Sequence, residues 1–437
     1  MDLMEKIVSL AKRRGFIFQS SEIYGGLSNT WDYGPFGVEL KNNLKRAWWK
    51  SVVHERDDIF GMDAAILMHP KVWEASGHLK NFNDPFIKCA VCLQFFKLGS
   101  DFDRTAKTPC PNCGNPLPEQ TMSANLMLET LFGPVKETAQ KVYLRPETAQ
   151  GMFVNFLSIQ DCKHPKLPFG LAQIGKSFRN EITPGNFIFR TREFEQMEIE
   201  YFVKPGESDA AYEYWVNERF NWYLNLGIKK DNLRQRPHDK EELAHYAKAC
   251  TDMEYNFPFG WSELEGVANR TDFDLKQHSQ SSGKTLDYYD DSTKERFYPY
   301  IIEPSGGVDR SILAFLVDAY NEELVKQEKR VVLKLHKDLA PVKAAVLPLL
   351  RNRPEIVELA KKLTLDFKKT FVSVYDDTGS IGKLYRRQDE VGTLYCITVD
   401  VQSLEDKQVT VRDRDTMLQD RISIDRVKEY LTNKLSH

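Results

Sequence analysis

The stretch from Gly175 to Tyr201 constrains this chain most. Gly175-Lys176-Ser177-Phe178-Arg179-Asn180-Glu181 and Arg190-Thr191-Arg192-Glu193-Phe194-Glu195-Gln196-Met197-Glu198 flank a polar turn around Pro184-Gly185-Asn186. Period-two alternation predicts two antiparallel strands, with Arg179 and Glu181 on one face of the first. On the returning strand Phe194, Gln196 and Glu198 share a face, while Met197, Ile199 and Tyr201 form the opposite, apolar one. The polar face offers a cation for phosphate, carboxylates for amino groups and an aromatic plate for a base, all expected on rigid strands rather than loops.

At 437 residues the chain is long enough for two or three domains. Its 60 basic and 63 acidic residues nearly cancel, so any nucleic-acid contact must use local basic patches. No apolar run reaches the roughly 18 residues of a membrane span. The first 14 residues form an amphipathic pattern with Asp2 and Glu5 in its first turn, unlike a signal peptide or presequence, so a cytoplasmic protein with no membrane contact is expected. Of the seven cysteines, Cys162, Cys250 and Cys396 are scattered and expected to be reduced and buried.

Helical spacing of Val38, Leu44, Ala47, Trp48 and Val52 predicts a helix over 37–54, and an apolar run predicts a strand over 64–70 closed by Pro70. Residues 85–125 lose apolar periodicity and read as a small insertion. Further expectations are a helix beginning at Pro146, a mainly helical stretch over 209–253, strands over 261–275 and 296–303, and a helix carrying Ile312, Leu313, Phe315, Leu316 and Ala319 that closes near Glu328. After a boundary at 334–338, strand-like runs at 342–347, 371–375, 393–399 and 408–411 alternate with helical ones at 354–367, 381–391 and 425–435, the pattern of a small α/β domain.

Within the insertion stand Cys89-x-x-Cys92 and, after 17 residues, Cys110-x-x-Cys113. Two such pairs present four thiolates tetrahedrally; structural zinc is favoured, with an iron–sulfur cluster and unmetallated thiols as the alternatives. In Glu303-Pro304-Ser305-Gly306-Gly307-Val308-Asp309-Arg310, a strand ending at Glu303 leads to a helix with Arg310 in its first turn, which suits a phosphate or is simply a Gly-rich connection. Trp261-Ser262-Glu263-Leu264-Glu265-Gly266 and Asn269-Arg270-Thr271-Asp272 alternate carboxylates along a strand, either ligands for Mg²⁺ or a solvated face. Arg145-Pro146-Glu147 stands at a helix start, where an acid in the first turn is common for its own sake.

The order of these segments resembles the three signature motifs of class II aminoacyl-tRNA synthetases: a long helix and a Pro-ended strand, then Phe178-Arg179-Asn180-Glu181, then Gly306-Gly307-Val308-Asp309-Arg310. Arg145-Pro146-Glu147-Thr148-Ala149-Gln150-Gly151, Arg192-Glu193-Phe194-Glu195-Gln196-Met197-Glu198 and Glu303-Pro304-Ser305 look like the dimeric, single-chain glycyl-tRNA synthetase family in particular. Gly379-Ser380-Ile381-Gly382 and Val411-Arg412-Asp413-Arg414-Asp415 look like that family's anticodon-binding domain, so the resemblance spans nearly the whole chain.

The resemblance implies an α+β fold: a class II antiparallel sheet flanked by helices over 1–335, a zinc knuckle inserted at 85–125, and an anticodon-binding α/β domain over 338–437. It implies a homodimer meeting through 37–70, and glycine, ATP with Mg²⁺, and tRNA(Gly) as substrates. Arg179, Glu181 and Arg310 would be catalytic. ATP would be held by these with Asn180, Phe189, Arg190, Thr191, Arg192, Glu193, Phe194, Glu263, Leu264, Gly307, Val308 and Asp309. Phe194 would stack on adenine opposite Arg310, and Glu263 would act through Mg²⁺. Glycine would be held by Glu147, Phe194, Glu195, Gln196, Met197, Glu198, Glu303, Pro304, Ser305, Gly306 and Gly307. Where many members carry Arg-Ala-Asp-His after the first cysteine pair, this chain has Phe95-Phe96-Lys97-Leu98-Gly99, which puts Lys97 in the place of a substrate-binding arginine. Lys383, Arg386, Arg387, Arg412 and Arg414 are expected to meet the tRNA. The alternatives are another class II synthetase, with a side-chain pocket, or a catalytically inactive synthetase-like nucleic-acid-binding module, which would have no need of the full acid and arginine set.

Overall fold

The computed structural model describes residues 2–98, 109–182, 185–244 and 246–436. Pro184 of the expected turn, Gly99 and the centre of the 85–125 insertion lie outside them. Seven strands, β1 Ile59–Gly61, β2 Phe169–Phe178, β3 Glu193–Val203, β4 Leu233–Pro237, β5 Ala249–Phe257, β6 Gly260–Thr271 and β7 Tyr300–Gly307, form one sheet in the order β4-β5-β6-β7-β3-β2-β1. Every neighbouring pair is antiparallel except β1 with β2. The expected hairpin is the pair β2–β3 of this sheet, with Phe178 opposite Glu193 and Ile174 opposite Met197.

The apolar face of β3 decides which side the helices take. Met197 and Ile199 are fully buried in a core with Trp48, Trp215, Tyr223, Ile312 and Phe315, each such side chain contributing about 1.5–3 kcal/mol. That core is covered by α1 Leu3–Arg13, α2 Pro35–Trp49, α4 Ser208–Asn225 and α6 Val308–Ala319. The opposite face is polar from Phe194 to Glu200, then apolar at Phe202, which packs beneath α3 Ala149–Val154 and α5 Phe273–Ser282 with Phe153, Phe156 and Leu275. A cleft floored by acids and closed at one end by apolar side chains results.

Several expected elements differ. The strand at 64–70 is only Leu67–Met68, because Pro70 opens a helix, Pro70–Ala75, where its missing N–H costs nothing. Pro146 opens no helix; α3 starts at Ala149. Within 209–253 only α4 is a long helix, followed by β4 and β5. β7 runs on through Ser305 to Gly307, and α6 ends at Ala319, giving way to a hairpin of Tyr320–Val325 with Glu328–Leu333. Val38 of α2 is 40% exposed, and of the scattered cysteines Cys162 is exposed and Cys250 half-buried.

Beyond residue 338, β8 Ala344–Pro348, α7 Pro354–Phe367, β9 Ser373–Tyr375, α8 Ile381–Val391, β10 Tyr395–Val399, β11 Gln408–Asp413, β12 Gln419–Ser423 and α9 Val427–Ser436 form a separate sheet with its helices, ordered β9-β8-β10-β11-β12. β8 is parallel to both its neighbours. Two arginines expected to meet RNA are structural instead. Arg412 is 6% exposed and donates to Asp389 of α8 at 2.9 and 3.2 Å, while Arg414, 5% exposed, donates to the carbonyl of Gly392 and to Asp415. Asp389 also receives Arg330 of the hairpin at 2.8 and 2.9 Å, so one buried carboxylate joins two arginines from opposite sides of residue 338.

Burial pushes the Asp389 carboxyl up, but Arg330 and Arg412 outweigh it and hold it below the ordinary range. Its contribution is therefore present above the unfolded carboxyl's value of about 4 and lost as pH falls through the lower folded value. We expect Asp389→Asn to cost about 3–5 kcal/mol near neutral pH, measured by urea unfolding, with the gap from the parent narrowing on acidification.

Candidate functional site

The expected hairpin carries its site residues differently at its two ends. β2 stops at Phe178, so Arg179 and Glu181 do not alternate on a strand. Arg179 N–H still donates to the carbonyl of Arg192 at 2.9 Å, but Glu181 N–H turns back to the carbonyl of Arg179 at 2.8 Å. The segment from Gly185 to Arg190 folds onto the core: Phe187, Ile188 and Phe189 are buried, with the ring of Phe187 4.7 Å from Trp31. Rigidity at this end comes from aromatic packing, not from a ladder.

Here the two cations lie against rings. Arg179 donates Nε–H to the carbonyl of Pro146 at 3.0 Å and lies 5.3 Å from the Phe194 ring. Arg310, in the first turn of α6, lies 4.6 Å from Phe189, a ring itself backed by Phe257 and Phe259. Arg310 also pairs with Glu263 at 3.0 Å. That pairing depends on a β-bulge: Glu263 stands opposite Glu254 but Glu265 opposite Met253, so one residue is extra on β6. Glu263 therefore faces the cleft, while Leu264 is in the core and Glu265 turns away to Arg219 at 2.7 Å and Tyr223 at 2.8 Å. Asp272, the last acid of that run, pairs with Lys276.

At the other end the side chains are buried. Arg145 crosses β2, donating to the carbonyls of Lys176 and Ala64 at 2.7 Å each; a Cβ on Gly175 would lie 2.2 Å from its guanidinium, so a side chain there would have to displace it. The crossing fixes the following residues. Glu147 accepts from Gln150 at 3.0 Å and lies 3.4 Å from His78. Thr148 donates to Glu198 Oε2, and Ser305 Oγ donates to Glu198 Oε1 at 2.7 Å. Gln196, held by Ser177 at 2.7 Å, lies 3.3 Å from Ser305. Glu303 accepts from Arg270 at 2.8 Å, and Arg270 also forks onto Asp274 at 2.8 and 2.9 Å.

Burial and the neighbouring Glu147 push the Glu198 carboxyl up. Burial likewise raises Glu303; Arg270 opposes, Glu198 and Glu147 add, and it stands at about 8. Glu147 goes the other way, because His78, Arg270 and Gln150 outweigh its burial. Glu263 is held low, chiefly by Arg310.

One cleft of about 320 Å³ is lined by Arg179, Glu181, Phe189, Arg190, Thr191, Phe194, Gln196, Glu263, Glu303, Ser305, Gly306, Gly307 and Arg310. Glu195 and Asp309 line it too, whereas Glu147 and Glu198 are not in its lining. Met197, Leu264 and Val308 belong to the core beneath the sheet. The Glu195 and Asp309 side chains are held from α2: Lys41 lies 2.6 Å from Glu195 and 3.2 Å from Asp309, and Lys45 lies 2.8 Å from Glu195. Asn180 and Pro304 lie outside the lining, as does Glu193, which pairs with Lys176. Arg192 donates to the carbonyls of Ser28 and Glu181 at 3.1 Å each. Lys97 pairs with Asp84 at 2.7 Å within the small sheet of the insertion and does not reach the cleft.

Sequence reasoning passed over Arg270, Asp274, His78 and Glu200. Glu200 alone had a signal, since period two places it on the face of Phe194 and Glu198. The others reach the acids from distant segments. His238 and Asp252, 2.8 Å apart, also line the cleft.

In the insertion the four cysteine sulfurs lie within 4.8 Å of one another, with Cys89–Cys113 at 3.6 Å and Cys92–Cys110 at 3.5 Å. A tetrahedral zinc with bonds of about 2.3 Å sets its sulfurs about 3.8 Å apart, so the set fits zinc.

A mostly antiparallel sheet with an arginine-bearing hairpin, a Gly-Gly strand running into an arginine-bearing helix, and a second α/β unit define a class II aminoacyl-tRNA synthetase. Residues 343–434 match the family model described as an anticodon binding domain. The chain is similar to glycine–tRNA ligases along nearly its whole length. It is 53% identical to that of Caldanaerobacter subterraneus (99% of this chain, 98% of the relative), 52% to that of Thermobifida fusca (100% and 98%) and 54% to that of Alkaliphilus oremlandii (99% and 98%). It belongs to the glycine–tRNA ligase family.

We expect Cys110→Ser to lower bound zinc from about one equivalent per chain to near none in elemental analysis, and the insertion of that variant to be cut by protease under conditions that spare the parent.

Proposed function

We propose that this chain joins glycine to tRNA(Gly) at the expense of ATP, through a glycyl-adenylate. The convergence of Glu147 and Glu198 on Glu303, which lines the same cleft as Arg179 and Arg310, carries the reading. Acids suit an ammonium, arginines suit phosphates, and the distance between them is spanned by one strand face. Thr148, Gln196 and Ser305 are drawn onto or beside Glu198, a polar crowding that favours glycine over proline, threonine, serine or histidine.

In the first step a carboxylate oxygen of glycine attacks the α-phosphorus, the bond to the β-phosphate bridging oxygen breaks, and pyrophosphate leaves. Arg179 neutralises charge at the α-phosphate and the glycine carboxylate. Arg310 takes the γ-phosphate, Phe194 stacks on adenine, and Glu181 accepts from its amino group. These residues act by alignment and by countering charge, with no covalent enzyme intermediate. Glu263, at the cleft and 49% exposed, suits one ligand of a Mg²⁺ shared with the phosphates, which would draw off the charge developing on pyrophosphate. In the second step the terminal ribose hydroxyl of tRNA attacks the glycyl carbonyl and AMP departs.

Residues 1–335 would form the catalytic unit, with the zinc knuckle at 85–125, and residues 338–437 would read the anticodon. Lys383, Arg386 and Arg387 remain there for RNA, since Arg412 and Arg414 are buried. A homodimer through 37–70 is supported by the exposed Val38 and Leu67, 40% and 42% accessible. Among the described residues no helix is long and apolar enough to cross a membrane, and we place the protein in the cytoplasm.

Glycine should drive ATP–pyrophosphate exchange where alanine, serine, proline, threonine and histidine do not. Exchange with another of these would make the chain a different class II synthetase, and exchange with none a binding module. In the same assay Arg179→Ala should lower the rate by about 10²–10³ or more, and near-normal exchange would remove Arg179 from its role.

A further inference from the structure

Glu200 takes no part in the assignments above. It lies on the face of β3 that carries Phe194, Gln196 and Glu198, one ladder step deeper, and none of it is exposed. Both its carboxyl oxygens are without a hydrogen-bond partner among the described residues. Carboxyl oxygens of Glu198, Glu200 and Glu303 nevertheless lie within 4.8 Å of one another. Beyond Glu200 the face is apolar, with Phe202 4.7 Å from Phe156 and 5.1 Å from Phe169. An ionised carboxylate in that position would have neither water nor a donor.

The charged groups around it make the case stronger. Glu198 comes from its own strand, Glu303 from β7, Asp274 from α5 and Arg270 from β6, and Arg270 is already divided between Asp274 and Glu303. α3 brings Gln150, bonded to His278 of α5 at 2.7 Å, and β2 brings Gln173, neither of them charged; Lys176 of β2 is paired with Glu193. Three acids thus share part of one guanidinium.

The geometry points to Glu200 as a proton-bearing positioning residue, whose neutral carboxyl donates its single proton within the Glu198–Glu303 pair and keeps both aimed at the ammonium of glycine. This rests on the glycine reading. A neutral third acid lets the other two approach a ligand from one side without a further repulsive charge behind them. Burial, Glu303 and Glu198 all push the Glu200 carboxyl well above the ordinary range, in keeping with that role.

The test compares the full-length parent with Glu200→Gln, which keeps a neutral donor, and Glu200→Leu, which keeps only bulk. In glycine-driven pyrophosphate exchange, Glu200→Gln should hold the glycine KM within about threefold, while Glu200→Leu should raise it about tenfold or more with the ATP KM unchanged. Thermal unfolding gives a second readout that does not depend on catalysis or on Glu200→Leu folding. A raised folded pKa means that stability is lost as pH rises from the unfolded value of about 4.3, by up to about tenfold in the unfolding constant per unit. The Tm of Glu200→Gln should therefore rise relative to the parent from pH 5 to pH 8. A large loss of glycine affinity in Glu200→Gln would make Glu200 a charged ligand and overturn the inference. So would a Tm gap that does not move with pH, or parent-like glycine affinity in Glu200→Leu. Absence of glycine-driven exchange in the parent would instead defeat the glycine reading, and the Tm comparison would still judge the proton on Glu200.

Discussion

The acid end of the cleft depends on one cation, Arg270. Its guanidinium is buried, bonded to Glu303 and to both oxygens of Asp274, and lies 5.4 and 4.0 Å from the rings of Phe153 and Tyr246. Carboxyls this close cannot all remain charged in a dry site; one arginine and the protons they keep are what make their convergence possible. The same guanidinium ties α5 to β6 and β7, so the charge that makes the pocket tolerable also sets its walls. A lysine could not do both, having no planar fork to divide among three oxygens.

The two ends of the cleft are built by different means. Glu198 and Glu303 are ladder residues whose positions follow from strand pairing, whereas Arg179 and Arg310 stand where strands or loops give way and are held by rings and carbonyls. This division suits the ligands proposed above. A small ammonium needs a fixed, dry acceptor set, while a flexible triphosphate needs cations that can follow it.

The hairpin, the cysteine spacing and helices over 354–367 and 381–391 were legible because each follows from a short-range period or spacing, and α7 and α8 have those bounds. The strand predicted to end at Glu303 continues to Gly307 because cross-strand bonds to β3 and β6 carry it past Pro304. What sequence could not give was long-range pairing. Arg412 reads as a surface charge until Asp389 of α8 is seen to accept it, and Lys97 reads as a substrate cation until Asp84 is seen beside it. Glu195 and Asp309 line the cleft, yet their side chains are claimed by Lys41 and Lys45 from α2.

The bulge at Leu264 has a bearing on how this family can vary. Because one extra residue reverses which face of β6 the following side chains occupy, Glu263 meets Arg310 while Glu265 meets Arg219 on the other side of the same sheet. Strand length between the turn at 258–260 and Gly266 is thus a coded quantity. Substitutions there change one contact, but gaining or losing a single residue would exchange the cleft-facing and core-facing acids together. The length of this segment is as much a part of the site as any side chain in it.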